Sequence, residues 1–236
     1  MSIEESFNIF RKRSKIILPN PAKEHLDFEY NQHNEHQKPY DEQHFMEHEP
    51  TINNNEQKKS IESYKRDSYY INGALWGNKD AMATEGHHIQ PIHELLKTAP
   101  KASSDFHVYT GVNSPTAKLK GDVHIPAFTS SSPDHRIAGL FATNPSVEEM
   151  RTDDGTTKKV NVTHVIKIHV KKGQHVGGYI GDIGSRRHEK EFLINKGHTL
   201  HFSGKTEDHL VHDGGMLSTP TVMRVHHATI SMDDDK

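Results

Sequence analysis

An α+β fold built on antiparallel sheets is what this sequence predicts, and two observations carry the prediction. Segments with apolar residues at helical spacing stand between Lys58 and Leu96. From Phe106 onward the apolar period shortens to that of strands. Helices followed by many short strands indicate segregated layers rather than alternating parallel units. The length of 236 residues allows one domain of ordinary size plus an extension.

In chain order, Ser2–Leu18 carries scattered apolar residues, and Pro19–Asn55 is mostly Glu, Gln, Asn and His with Pro21, Pro39 and Pro50. Such a stretch has little apolar area to offset ordering entropy. Residues 1–55 therefore read as an arm or linker, partly disordered, and 56–232 as the folded domain. Ile61, Tyr64, Ser68, Ile71 and Leu75 recur at threes and fours, a helix that Gly77 ends. Ile89, Ile92, Leu95 and Leu96 form a second, ended by Ala99-Pro100. Strands are predicted at Phe106–Val112, Val123–Ser131, Val160–Val170, Val176–Ile180, Glu191–Ile194, Thr199–Ser203 and Thr221–Ile230. Asp134 is placed to cap a helix reaching Phe141.

Composition excludes several classes. The net charge of −3 is far from the basic excess of a dedicated nucleic-acid binder. With no cysteine there is no disulfide scaffold, thiolate metal site or thiol nucleophile. No apolar run approaches a membrane span, and the basic patch at Arg11–Lys15 leads into no long apolar run, so no signal peptide is expected. The 21 histidines are spread along the chain rather than gathered, and no His-Glu-x-x-His pattern occurs. No metal site is expected; the histidines read as surface residues that make the charge sensitive to mild acid.

Three stretches carry chemistry. Phe106–Val112 is a strand ending in Tyr109-Thr110-Gly111. Phe128-Thr129-Ser130-Ser131-Ser132 is a strand running into serines. Glu189-Lys190-Glu191 opens a strand, where a period of two would aim both carboxylates at one place. Each has an ordinary reading alone: serines populate turns, and edge charges discourage aggregation.

In this order and spacing the three stretches resemble the mono-ADP-ribosyltransferases of the arginine–serine–glutamate class. The Tyr-rich segment Tyr64–Trp76, with Ile71-Asn72 and Leu75, is similar to that family's helix over the nicotinamide pocket. Gly178-Tyr179-Ile180 followed by Ser185 resembles its target-touching loop. The resemblance runs from about Ser60 to Gly204 and is nearest to the Alt-type enzymes of T-even-like bacteriophages. It implies two roughly perpendicular antiparallel sheets with helices flanking an NAD cleft.

It also implies roles. Glu191 would be the catalytic glutamate at the ribose 2′-hydroxyl, and Glu189 would orient or deprotonate an acceptor arginine. Ser130 would hold Glu191, with Ser132 and Thr129 in the same element. Thr110, Gly111, Asn72 and Phe141 would line the NAD site, although a helix phenylalanine ordinarily belongs to a core. The chemistry fits the residue types. A carboxylate stabilises the oxocarbenium character that develops on the ribose, and nicotinamide leaves neutral without a general acid. Thr110 stands where the family has arginine. Arg66, Arg136, Arg186 and Arg187 are the candidates to replace it at the NAD phosphates. The implied activity is ADP-ribose transfer to a protein, with host transcription or translation proteins as targets in the host cytoplasm and packaging in the virion as an option. Rival readings are an NAD glycohydrolase, transfer to nucleic acid, or an inactive binding or virion module.

Overall fold

The computed structural model describes residues 45–113, 119–184, 189–212 and 219–233. The chain first builds helices α1 (Asn55–Arg66), α2 (Ser68–Leu75), α3 (Lys79–Glu85) and α4 (Ile89–Leu96). The single helix expected over 58–75 is two. The Asp67 side chain accepts from the backbone N–H of Tyr69, capping α2 and turning the chain between them. Helix α3 is a seven-residue polar element without the apolar stripe that would announce it.

Strands β1 (Phe106–Val112), β2 (Gly121–Ile125) and β3 (Thr129–Ser131) follow, then helix α5 (His135–Phe141) with Asp134 as its cap. The remaining strands are β4 (Ser146–Arg151), β5 (Thr157–Val170), β6 (Gly177–Tyr179), β7 (Phe192–Ile194), β8 (His198–His212) and β9 (Thr221–Met232). The strand expected over 123–131 is therefore two, in different sheets. Pro126 has no N–H to continue a ladder, and Phe128 turns into the helical core.

Two sheets result. The larger has the order β1-β5-β9-β8-β2, with β4 beside β5; the smaller is β3-β7-β6. The pairing is not wholly antiparallel as predicted, because β5 and β9 run parallel with Val165 opposite Val225. The small sheet is buried on both faces. Phe192 and Ile194 face the large sheet with Phe106, Ile168 and Ile230, while Leu193 faces the helices with Ile61, Ile71 and Leu95. This is the period of two acting inside three residues. Each fully buried aliphatic or aromatic side chain contributes roughly 1.5–3 kcal/mol. Helix α5 covers the outer face of the large sheet, setting Ala138 and Ala142 on Val165 and Val225.

The segment that the sequence suggests as arm or linker contributes at its end. Phe45 and His48 are buried, and Phe45 meets Phe106 edge-on with ring centroids 5.2 Å apart. Residues 1–44 lie outside the described residues. The histidines are not a surface set. His48, His93 and His198 are buried, and His164 and His226 contact each other at 2.9 Å across β5 and β9.

Candidate active site

β1 and β3 belong to different sheets, yet their ends are joined. The Tyr109 N–H donates to the Ser132 carbonyl at 2.7 Å, and the Ser132 N–H returns the bond at 2.8 Å. The Thr110 hydroxyl donates to the Ser130 carbonyl at 2.8 Å. Helix α5 crosses this seam at Gly111, where an added Cβ would stand 2.5 Å from the Ala138 carbonyl oxygen. A side chain there would force the helix off the strand. Along the seam opens a cleft of about 800 Å³, lined from α2, β1, β3, α5 and the segment before β7. That volume lies in the range of small-molecule sites.

The two glutamates both line this cleft, but they are not on one pleated strand. Lys190 between them is left-handed, with φ 46°, and β7 begins only at Phe192. A left-handed lysine costs on the order of 1 kcal/mol and persists only where the surroundings impose it. Glu191 is 6% exposed, and its carbonyl accepts from the Ile180 N–H at 2.8 Å. Glu189 is half-buried.

Ser130 meets a partner that sequence reasoning did not foresee. Its hydroxyl oxygen is 3.2 Å from the Tyr64 phenolic oxygen, which also accepts from the Asn72 amide at 3.2 Å. Burial, and after it the charge of Glu191, push the Tyr64 phenol above its ordinary range, so it stays protonated. The Asn72 oxygen is buried with no hydrogen-bond partner among the described residues. An orphaned acceptor in a cleft is a place for a ligand donor.

Next to Tyr64, Lys65 is buried. Its ammonium donates to the carbonyls of Ile180 and Ile183 at 3.0 and 2.9 Å and to Gly181 at 3.4 Å. It thereby holds the chain leaving β6 at Ile180–Ile183. Lys65 follows Ile61 by four residues on the apolar stripe of α1; a lysine on that face was the available signal.

The other expected residues divide. Ser132 lines the cleft, and its hydroxyl accepts from the Asp134 N–H. Thr129 is 3.3 Å from buried His198. Phe141 lines the cleft at 47% exposure, so it is no core residue. Of the four arginines, Arg66 lines the cleft, whereas Arg136 is held by Asp134 through two bonds of 2.7 and 2.9 Å and does not. Arg186 and Arg187, like Ser185, lie outside the described residues. No group of three or more metal-ligating side chains occurs among the described residues.

Residues 22–217 match the family described as ADP-ribosyltransferase exoenzyme. The chain belongs to this family. Membership carries NAD as the substrate that donates ADP-ribose. No curated protein matches the sequence. Among solved structures, the chain is similar to the ADP-ribosylating toxin BECa of a C. perfringens binary enterotoxin, solved with NADH, at 16% identity and a TM-score of 0.52. That match covers 75% of this chain and 44% of the toxin. The C2-I component of the C2 toxin of Clostridium botulinum matches at 15% identity and a TM-score of 0.50, over 74% of this chain and 43% of its own. The chain thus spans less than half the length of these two. The Clostridium limosum C3 exoenzyme matches at 15% identity and a TM-score of 0.49, over 78% of this chain and 89% of its own. At these identities the likeness to BECa and C2-I is one of fold.

Proposed function

We propose that this exoenzyme-family chain transfers ADP-ribose from NAD to an arginine side chain of a protein. The observation that carries the reading is the convergence of Glu189 and Glu191 on one cleft with the hydrogen-bonded Asn72, Tyr64 and Ser130. With nicotinamide seated at the buried end, the bond between its ring nitrogen and ribose C1′ breaks. The electron pair leaves with nicotinamide, which departs neutral. Glu191 holds the ribose 2′-hydroxyl and stabilises the positive charge that grows on the sugar. An acceptor guanidinium nitrogen then bonds to C1′, and its surplus proton passes to Glu189 and on to solvent. The fork geometry of guanidinium and carboxylate favours that pairing. By the resemblance to Alt-type enzymes, the acceptors are host proteins in the host cytoplasm.

Tyr64 accepts from Asn72 and keeps its own proton. That proton is available for Ser130, which leaves the Ser130 hydroxyl free to donate to Glu191 or to the substrate. Thr110 supplies no charge at the phosphates, and its hydroxyl is engaged by Ser130. This favours a weaker hold on NAD than an arginine would give.

The test of the acceptor is Glu189→Gln. Its expected effect is loss of about 100-fold or more in protein labelling from adenylate-labelled NAD, with nicotinamide release retained. Labels that resist hydroxylamine, or labelled nucleic acid in place of protein, would overturn the arginine assignment. Nicotinamide release by the wild type with no labelled product would make the chain a glycohydrolase.

A further inference from the structure

Trp76 stands uncovered at the lip of the cleft. It is 60% exposed, and with Tyr69 (76%) and Phe141 (47%) it forms an aromatic rim around a centre in which Glu191 is 6% exposed. Isolated exposed apolar residues are ordinary, but large rings gathered at one cleft mouth mark a binding surface. The backbone under the Trp76 ring is fixed. Its N–H donates to the Asn72 carbonyl at 3.0 Å, Gly77 turns with φ 90°, and the Asn78 N–H donates back to the Gly73 carbonyl at 3.0 Å. The ring is thus carried on a fixed helix end rather than on a loop.

Helix α2 orders the site along its axis. At its start is the cap Asp67, two residues after Lys65, whose ammonium holds the Ile180 and Ile183 carbonyls. In its middle, Asn72 joins the Tyr64–Ser130 network. At its end is Trp76, about 6 Å further along at 1.5 Å per residue. The scissile bond must sit at buried Glu191, so the nicotinamide end of an extended dinucleotide is the deep end. The ring that reaches the rim is then the other one.

We propose that Trp76 provides the stacking surface for the adenine of NAD. This rests on the NAD-transfer reading of the cleft. Stacking on an aromatic ring binds a base through its π-face without needing a charged partner. It thus supplies hold on a dinucleotide in a cleft where Thr110 stands at the position of the family's arginine.

Trp76 is the sole tryptophan of the chain, so its emission reports on this position alone. The full chain would be titrated with ADP-ribose, AMP and nicotinamide mononucleotide, with binding measured in parallel by calorimetry. Saturable quenching by ADP-ribose and AMP is expected, with none from nicotinamide mononucleotide. Trp76→Ala should weaken ADP-ribose by about tenfold, and Trp76→Phe, which keeps a π-face, by less than about threefold. A thermal midpoint equal to wild type would show that Trp76→Ala folds. ADP-ribose binding that leaves the emission unchanged, or an unaltered affinity in Trp76→Ala, would overturn the proposal while leaving the transfer reading intact. Quenching by nicotinamide mononucleotide but not AMP would reverse the polarity of the site and overturn it too. No binding of NAD or ADP-ribose to wild type would remove both.

Discussion

The phenolic oxygen of Tyr64 lies 3.2 Å from the hydroxyl oxygen of Ser130, joining a buried helix residue to the serine-bearing strand end. Asn72 donates to the same phenol. The phenol is therefore the centre of a polar chain, and the charge of Glu191 acts on it. Tyr64→Phe keeps the ring on Phe128, which it meets edge-on at 5.8 Å, but leaves the Asn72 donor without this partner. The expected outcome is a fall of about tenfold in kcat with a smaller change in KM for NAD, and a loss of about 1–2 kcal/mol in stability. Steady-state nicotinamide release and chemical denaturation check the two parts.

The departure at Thr110 can be tested by reversal. Thr110 lines the cleft, so an arginine there would extend toward the substrate phosphates. A guanidinium–phosphate contact is worth about 1.5–3 kcal/mol, against which stands the lost bond to the Ser130 carbonyl. Thr110→Arg is expected to lower KM for NAD by about tenfold. An unchanged or higher KM would mean that another group already neutralises the phosphates.

Histidines give the chain an acid limit. Burial first, then neighbouring cations, hold His226 at about 4 beside His164 and Arg224. Burial alone dominates at His198, also about 4, against the opposing bond to the Asn195 carbonyl. These values lie below the unfolded value of 6.5, so the unfolded chain binds more protons between about pH 6.5 and 4. Stability is full above that window and falls as pH falls through it. After screening, His198 and His226 each cost about 1 kcal/mol at pH 5, which lowers the thermal midpoint by about 4–8 °C relative to pH 7.5. Replacing His198 by Gln should flatten the profile. His198 and His226 therefore take up protons on unfolding.

Much of this was legible in the sequence, and the exceptions have physical causes. β1, α4 and α5 follow directly from apolar period and capping at Phe106–Val112, Ile89–Leu96 and Asp134. β4 escaped because its Glu148, Glu149 and Arg151 give an edge strand no apolar alternation. The parallel pairing of β5 with β9 is a long-range choice, and alternation within each strand is the same for either direction. The geometry of Glu189 and Glu191 was hidden by Lys190, since nothing about a lysine announces φ 46°. The site's outline was readable because it depends on residue types in order. Lys65 and the Tyr64–Ser130 contact were not, because they depend on which helix face meets which loop.

Glu191, buried beside Tyr64 in this cleft, is proposed to carry the bond-breaking step. Nicotinamide release and protein labelling from adenylate-labelled NAD, compared between wild type and Glu191→Gln at matched thermal stability, test it most directly. Labelled bands and released nicotinamide are expected for wild type, with a loss of about 1,000-fold or more in both for the variant and NAD affinity changed less than about tenfold. Full activity in Glu191→Gln would contradict it.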